Sequence, residues 1–178
     1  MKILAFGASN SVHSINKKLA RYATTFFDHA DVNLLDLNDF EMPVFSVDIE
    51  KAQGIPAKAQ EFMDILATSD LIIISFAEHN GSYTTAFKNL FDWTSRLNGK
   101  TFLGKPMLLM STSPGPRGGK SVLETALGRF PFHDGKILAS FSLPEFGKNF
   151  SETEGILDET LKQQFLNVIQ TVKGTLAV

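Results

Sequence analysis

Three short segments, rich in glycine, serine and asparagine, hold the residues that could contact a ligand. They span residues 7–14, 78–82 and 113–119, and each follows an apolar run that is typical of a buried strand. Backbone N–H groups and small hydroxyl side chains suit phosphate and other oxygen-rich groups. We therefore treat these segments as candidate binding loops and call them loop 1, loop 2 and loop 3.

Loop 1 carries three hydroxyl side chains, Ser9, Ser11 and Ser14, directly before a segment with helical periodicity that Ile15 and Asn16 open. The N-terminus of a helix presents unpaired N–H groups and a partial positive charge, which suits a phosphate. The alternative interpretation is an ordinary N-cap, in which Ser14 caps its helix and nothing binds. The loop matches neither G-x-G-x-x-G nor the P-loop motif, so a dinucleotide fold or an NTPase receives no motif support.

Loops 2 and 3 are less distinctive when each is considered alone. Loop 2 places the polar residues Glu78, His79 and Asn80 before Gly81, and an isolated Asn-Gly pair is usually a turn. Loop 3 has two prolines and three glycines around Arg117, so its exposed N–H groups could meet carbonyl or anionic oxygens. Many surface loops have the same composition, and that interpretation stays open.

The composition excludes several classes of function. The chain has 178 residues and a formal net charge of −2, which argues against an electrostatic nucleic-acid binder. It contains no cysteine, so redox chemistry would require a bound cofactor. The four histidines lack metal-ligand spacing, and we predict no metal site. No apolar run approaches the roughly 20 residues of a membrane span, and the N-terminal apolar run is too short for a signal peptide. We expect a soluble, cytoplasmic protein.

The elements that must position these loops alternate along the chain. Apolar runs predict strands at residues 3–6, 32–37, 71–75, 106–111 and 136–140. Between and after them, apolar residues at helical spacing predict helices with these buried faces: Ile15, Leu19, Tyr22, Ala23 and Phe26; Ala59, Phe62, Met63 and Leu66; Phe87, Leu90, Phe91, Thr94 and Leu97; Val122, Leu123, Ala126, Leu127 and Phe130; and Leu157, Leu161, Phe165, Val168 and Val172. Residues 38–54 lack a firm period and are predicted to be a loop.

Strict alternation of strands and helices predicts a doubly wound α/β fold, with a five-stranded parallel sheet and helices on both faces. We expect one domain over residues 1–178, because no repeat or linker interrupts the pattern. In such a sheet the three loops follow the carboxyl ends of their strands and lie along one edge, where ligands bind. The three loops can therefore converge on a single ligand.

Taken together, the loops resemble those of the NADPH-dependent FMN reductase family, over about residues 1–140. The motifs that carry the resemblance are Ala8-Ser9 with Ser14 and Asn16, then Glu78-His79-Asn80-Gly81-Ser82-Tyr83, then Phe87-Lys88-Asn89 with Asp92-Trp93, and finally residues 111–119. The resemblance implies a flavodoxin-like sheet with the strand order 2-1-3-4-5 and one FMN per subunit. It also implies a homodimer or homotetramer.

The resemblance assigns residues to parts of FMN. The phosphate would lie against Ser9, Ser11, Ser14, Ile15 and Asn16, the flavin ring against Ala77, Glu78, His79, Asn80 and Gly81, and its pyrimidine end near Ser113, Gly115, Arg117, Gly118 and Gly119. The implied activity passes a hydride from NADPH or NADH to FMN and on to a flavin, a quinone or a similar small-molecule acceptor. No catalytic side chain is nominated, because the flavin supplies the chemistry.

Two departures from the family pattern concern the cofactor. The family often has arginine where Ser11 stands, so the phosphate charge would rest on N–H groups, hydroxyls and Lys17 or Lys18. The usual Pro-Glu-Tyr-Asn is replaced by residues 77–80, which place His79 at the aromatic position beside the ring. Two other hypotheses stay open, a flavodoxin-type electron carrier and a non-catalytic FMN-binding protein.

Overall fold

A five-stranded parallel sheet forms the centre of the computed structural model, which describes residues 1–176. Its strands are β1 (Lys2–Ala8), β2 (Asp31–Leu35), β3 (Leu71–Phe76), β4 (Pro106–Thr112) and β5 (Lys136–Leu143). They are hydrogen-bonded in the order β2-β1-β3-β4-β5, and every pairing is parallel. The predicted fold class and the strand order implied by the resemblance are both confirmed. This is the flavodoxin order, in which the strand order reverses between β1 and β3.

Seven helices accompany the sheet within the described residues: α1 (Ile15–Thr24), α2 (Val47–Gln53), α3 (Ala57–Ala67), α4 (Thr85–Leu97), α5 (Lys120–Arg129), α6 (Phe146–Asn149) and α7 (Glu159–Leu176). Helices α3, α4 and α5 pack on one face of the sheet, and α1 and α7 pack on the other. No helix within residues 1–176 is both long and apolar enough to cross a membrane.

The central strands are mostly apolar because each supplies two cores at once. In β3, Ile72 and Ile74 point to the core beneath α3, α4 and α5, while Leu71 and Ile73 point to the core beneath α1 and α7. Side chains of a strand alternate between the two faces, so a sheet covered on both sides admits a polar residue only where it finds a hydrogen-bond partner, as Ser75 and Ser111 do near the carboxyl ends of β3 and β4. This explains why the strands lack polar alternation.

The prediction of a loop at residues 38–54 is wrong in two places. A 3₁₀ turn spans Leu37–Phe40, where the Asp36 side chain accepts a hydrogen bond from the N–H of Asn38. Helix α2 follows, with Ser46 capping it through the N–H of Ile49. Helix α2 buries none of its residues. A helix without a buried face has no apolar period, which is why periodicity did not reveal it.

Strand and helix ends also differ from the prediction. Strand β5 continues to Leu143, three residues beyond its predicted end, and its register against β4 shifts between Met107 and Leu108. Leu157, expected on the last helix, precedes α7 and is 40% exposed. Helix α6 and a two-stranded hairpin, β6 (Phe150–Ser151) and β7 (Gly155–Ile156), lie between β5 and α7. These elements are only two to four residues long, too short to show a period.

His133 lies just before β5, at the edge of the sheet opposite the three loops. It links the segment before β5 to the segment after α4. Its Nδ1 lies 2.9 Å from the carbonyl oxygen of Gly99, and its ring meets that of Phe91 edge to face at 4.7 Å between centroids. Burial lowers the pKa of His133, and the positive charge of Arg129 lowers it further, while the hydrogen bond to Gly99 opposes them. The folded protein therefore favours the neutral imidazole.

This lowered pKa predicts a pH dependence of stability. As the pH falls through 6.5, the ordinary pKa of histidine, the unfolded chain takes up a proton at His133 before the folded chain does, so the free energy of unfolding decreases. It levels off below the folded-state pKa. Urea unfolding should show that the free energy of unfolding decreases more between pH 8 and pH 5 in the wild type than in His133→Gln. The exposed His29, changed to Asn, is the control and should keep the wild-type loss; an unchanged loss in His133→Gln would contradict the prediction.

Candidate functional site

The three loops lie at the carboxyl ends of β1, β3 and β4, and buried polar side chains join them. Thr84, at the end of loop 2, donates its hydroxyl to the carbonyl oxygen of Ala8 at 3.0 Å. The same hydroxyl accepts the N–H of Phe87 and caps α4. One buried hydroxyl therefore starts a helix and attaches loop 2 to the end of β1.

Asn16 is the strongest of these connections. Its Oδ1 accepts the Ser75 hydroxyl at 2.7 Å and the N–H of Thr112 at 3.0 Å, and its Nδ2 donates to the carbonyl oxygen of Thr112 at 3.1 Å. The residue is 1% exposed. The amide thus ties the first turn of α1 to β3 and β4. Any contact of Asn16 with a ligand would have to come from its backbone N–H.

Gly7 allows α1 to begin where it does, a role that sequence reasoning missed. A Cβ atom on Gly7 would lie 2.8 Å from the Cα of Lys17 and 2.9 Å from the carbonyl carbon of Asn16. Both are backbone atoms, which cannot move aside as the end of a flexible side chain can. The glycine in the apolar run before loop 1 was the available signal, because glycine within a strand often marks a close backbone approach.

Loop 1 forms a compact ring of hydroxyls and N–H groups. The hydroxyl of Ser9 accepts the N–H of Ser11 at 3.1 Å, and the N–H of Ser14 donates to the carbonyl oxygen of Ser11 at 3.1 Å. Ser14 caps α1 by accepting the N–H of Lys17, as the N-cap interpretation expects. The first turn of α1 holds no acidic residue. The remaining N–H groups of that turn are therefore available to an anion.

The two lysines considered as a source of phosphate charge are paired with carboxylates. Lys17 contacts Asp36 and Lys18 contacts Glu152. The hydrogen bond from Lys17 holds the pKa of Asp36 below its ordinary value, although partial burial opposes the shift. The carboxylates compensate both charges, so positive potential at loop 1 comes mainly from the helix end.

Loop 2 contains the turn that its Asn-Gly pair indicates. His79 and Ser82 exchange backbone hydrogen bonds of 3.0 and 3.1 Å. Asn80 and Gly81 between them have φ angles of 51° and 76°, as a type I′ turn requires. Residues 79–82 are all exposed, so the turn projects from the sheet edge with its polar groups free to contact a ligand.

Glu78 has a structural partner that its position in the chain does not reveal. Its Oε2 accepts the N–H of Val122, in the first turn of α5, at 3.0 Å. This carboxylate already occupies the N-terminus of α5 and would repel an anion there. Of the helices α1 and α5, which follow loops 1 and 3, only α1 therefore offers an N-terminus suited to a phosphate.

Loop 3 is held by packing around Gly118. Its carbonyl oxygen accepts the hydroxyls of Ser111 at 2.7 Å and Ser142 at 3.0 Å. Its φ is 59°, and a Cβ atom there would lie 2.9 Å from the backbone nitrogen of Pro144. Gly119 is also buried and precedes α5. These two glycines are buried and fix the conformation of the loop, so they are not accessible to a ligand.

The outer part of loop 3 is more exposed. Gly115 accepts the N–H of Glu145 at 3.0 Å through its carbonyl oxygen, and Ser113 accepts that of Phe146 at 3.1 Å. Arg117 is exposed and donates to the hydroxyl of Ser121 on α5 at 2.9 Å. Ser113, Gly115 and Arg117 are thus the members of the predicted set in this loop that a ligand can reach.

The segment 42–45 is attached to α4 by two side chains. Asn89 accepts the N–H of Phe45 at 2.8 Å and donates to the carbonyl oxygens of Met42 and Pro43 at 3.1 Å. Trp93 is fully buried, and its Nε1 donates to the carbonyl oxygen of Pro43 at 2.7 Å. The attached segment forms one wall of a cleft beside loop 2.

Asp92 lies on the same helix, and its carboxylate accepts hydrogen bonds from Lys88, one helical turn earlier, at 2.6 Å. Asp92 is therefore part of an ordinary pair of opposite charges on the helix surface.

A parallel sheet with three candidate binding loops at its carboxyl edge defines the class of protein. It is a flavodoxin-like α/β protein, a fold in which ligands bind at the point where the strand order reverses. Residues 1–146 match the model of the family described as NADPH-dependent FMN reductase. The chain belongs to this family, and the resemblance seen in the sequence is confirmed.

Individual relatives agree with this assignment. The chain is 32% identical to a quinone reductase of Escherichia coli (strain K12) over 79 residues, which are 44% of this chain and 42% of the relative. The match thus spans less than half the length of that relative. Similar solved structures include FerB, a flavoenzyme NAD(P)H:(acceptor) oxidoreductase of Paracoccus denitrificans, with a TM-score of 0.73, 20% identity and 97% of each chain covered. The apo form of EMOB, an NADH:FMN oxidoreductase, also has a TM-score of 0.73 and 20% identity, covering 98% of this chain and 89% of that one. At these identities the structures support the fold.

The hydrogen bonds of Asn16 predict a large effect of its removal. Asn16→Ala should lower the free energy of unfolding by about 2–4 kcal/mol, because the groups that it satisfies on Ser75 and Thr112 stay buried without partners. Urea unfolding followed by circular dichroism measures this change. The matched control is Asn167→Ala on the exposed side of α7, which should change stability by less than about 0.5 kcal/mol. Similar losses in both variants would contradict the assigned role.

Proposed function

We propose that the protein is an FMN-dependent NAD(P)H oxidoreductase. It would pass a hydride from the nicotinamide to bound FMN, and the electrons on to a flavin, a quinone or a similar acceptor. The observation that carries this proposal is the N-terminus of α1, which is free of acidic residues and ringed by hydroxyls at the edge where loop 2 projects. Family membership supports the same function. The proposal treats residues 1–178 as one FMN-binding domain.

The groups present fit the chemistry of FMN. A phosphate needs N–H and O–H donors without a competing carboxylate, and loop 1 offers Ser9, Ser11 and Ser14 together with the N–H groups of Ile15 and Asn16. The ring needs exposed backbone polar groups and a flat contact, for which residues 77–81 are the candidates. The reachable residues of loop 3, Ser113, Gly115 and Arg117, would meet the pyrimidine end.

The burial of Gly118 and Gly119 modifies the residue assignment. In this proposal they act indirectly, by holding loop 3 in shape, and Glu78 acts in the same way by fixing loop 2 against α5. The side chain of Asn16 likewise positions the start of α1. Direct contacts in loops 2 and 3 are assigned to groups that the fold leaves exposed. In loop 1 they are assigned to the hydroxyls and to the first N–H groups of α1, although Ser9, Ser14 and Asn16 are largely buried.

Bound FMN would supply the redox chemistry, since it can take a hydride and release two electrons. The overall reaction with a quinone consumes NAD(P)H, a proton and the quinone, and produces NAD(P)⁺ and the hydroquinone. The chain's own contribution would be to bind and orient. His79 is exposed in the turn of loop 2, and in this proposal it would cover one side of the ring or donate a proton to the acceptor. No protein acid or base is required for hydride transfer itself.

The electron-carrier hypothesis and the non-catalytic hypothesis predict FMN binding without NAD(P)H oxidation. The decisive experiment titrates the purified protein with FMN by fluorescence quenching and then measures oxidation of NADPH and NADH with naphthoquinone as acceptor. We expect FMN binding and acceptor-dependent oxidation. Binding without oxidation would favour the two other hypotheses, and absence of both would overturn the proposal.

Ser11 allows the phosphate assignment to be tested separately. Ser11→Asp places a carboxylate beside the proposed phosphate, and we expect the Kd for FMN to rise about 10- to 100-fold through repulsion. Ser11→Asn has the same shape without the charge and should bind FMN within about threefold of the wild type. Because Ser11 is exposed, neither change should alter the thermal unfolding temperature appreciably. Equal affinities of the two variants would show that the phosphate lies elsewhere.

We also propose a homodimer or homotetramer in the cytoplasm, where NAD(P)H is supplied. The aromatic residues Phe87, Phe91 and Trp93 of α4 are buried and leave no exposed aromatic patch on that helix. The proposed subunit interface is supported instead by two exposed apolar side chains beside α4, Val44 (70% exposed) and Val47 (51% exposed). Sedimentation equilibrium should give a mass at least twice that of the chain, and Val44→Asp with Val47→Asp should reduce it. A monomeric wild type would contradict this part of the proposal.

A further inference from the structure

A cleft of 680 Å³ lies beside loop 2, on the side of the sheet covered by α4. Its lining comes from loop 1, the segment after β2, loop 2 and the first turns of α4: Asn10, Leu37, Phe40, Glu41, Met42, Pro43, Val44, His79, Thr85, Ala86 and Asn89. This volume falls in the range of small-molecule sites. Apart from His79, none of these residues belongs to the predicted FMN contacts.

The cleft has one wall that is fixed in shape. Asn89 and Trp93 attach the backbone of residues 42–45 to α4 through four hydrogen bonds. Phe45 meets Trp93 edge to face at 5.0 Å, which reinforces the attachment. The cleft is therefore a preformed feature, and the polar atoms of Asn89 are already used in holding it.

The chemistry of the lining favours an uncharged aromatic ligand with hydrogen-bond acceptors. Leu37, Phe40, Met42, Pro43, Val44 and Ala86 give it an apolar surface. Asn10, Thr85 and His79 offer side-chain donors to oxygen atoms of a ligand. A quinone, which is a flat ring with carbonyl oxygens, matches both properties.

The charges around the cleft are unfavourable to an anion. Glu41 and His79 are the ionisable residues of the lining, and Glu41 has no cationic group within 4.0 Å in the described part of the chain. The neighbouring lysines are paired, Lys58 with Glu61 and Lys88 with Asp92. An anionic acceptor would therefore meet the Glu41 carboxylate without a compensating positive charge.

We propose that this cleft binds uncharged quinone-type acceptors and that Glu41 discriminates against anionic ones. The proposal rests on the proposed function, because a cleft that shares His79 with loop 2 holds an acceptor next to the flavin site. Glu41 is a specificity residue in this scheme and takes no part in the transfer of electrons.

The experiment compares naphthoquinone with its ring-sulfonated derivative in the FMN-loaded enzyme. In Glu41→Gln, kcat/KM for the sulfonate should rise about 3- to 10-fold, mainly through KM, and the value for naphthoquinone should stay within about twofold. Taking the ratio of variant to wild type for each acceptor cancels their different intrinsic reactivities. The rise should shrink at high salt, since an exposed charge is screened.

Two further variants complete the test. Glu159→Gln removes an equivalent charge from α7, on the opposite face of the sheet, and should change neither acceptor. Ala86→Leu fills the cleft and should raise KM for naphthoquinone about 10-fold while leaving the Kd for FMN unchanged. If Glu41→Gln affects both acceptors equally or neither, or if Ala86→Leu leaves KM unchanged, the proposal is overturned.

Equilibrium dialysis separates this proposal from the proposed function. It measures the binding of the two naphthoquinones to the protein without NAD(P)H, in the presence and absence of FMN. Tighter binding of the uncharged compound, with the difference reduced in Glu41→Gln, supports the cleft even in a protein that fails to oxidise NAD(P)H. Equal binding of both compounds by the wild type overturns the cleft proposal, even if FMN binding and NAD(P)H oxidation are as expected.

Discussion

The side-chain amide of Asn16 is the contact on which the geometry of the candidate site depends. It joins the first turn of α1 to β3 and β4 by three hydrogen bonds, and it does so where water is excluded. A buried amide that loses its partners is costly, so the arrangement has little freedom to shift. Gly7 permits this contact, because any side chain there would push α1 away from β1. The position of the open end of α1 relative to loops 2 and 3 follows from these two residues.

The three helices that begin at this edge differ in what occupies their N-termini. Helix α4 is capped by Thr84, and the first turn of α5 binds the Glu78 carboxylate. Helix α1 is capped by Ser14 and has no acidic group in its first turn. With Lys17 and Lys18 already paired, the helix end and the hydroxyls of loop 1 are the main attraction for an anion. Of the N-termini of α1, α4 and α5, that of α1 is therefore the one best suited to a phosphate.

Helix α4 both packs against the sheet and holds the wall of the cleft in place. Its buried aromatic residues pack into the core beneath the sheet, and its Asn89 and Trp93 hold the segment that follows the 3₁₀ turn. These hydrogen bonds and the contact between Phe45 and Trp93 fix where the segment lies relative to α4. Rigid support by residues that touch no ligand is a general requirement of a precise site. Here it produces a cleft whose shape is set before anything enters it.

The amino-acid sequence by itself determined the layers of this protein and the approximate place of its loops. Continuous apolar runs such as residues 71–74 require burial on both faces, and the alternation with helical periods leads to a parallel sheet with its loops on one edge. These signals are local, so they can be recognised along the chain. The helix at Val47–Gln53 gave no such signal because it buries nothing.

Only the tertiary structure decided which polar residues face a ligand and which hold the frame. Asn16, Glu78 and Gly118 stand among the other polar and glycine residues of the loops. Their partners include Thr112, Val122 and Ser142, which lie at least 24 residues away in the chain. Hydrogen bonds over such separations depend on how strands and helices meet in space. Spacing along one loop carries no information about them, and for that physical reason the sequence indicated the binding edge while the folded chain selected the exposed groups on it.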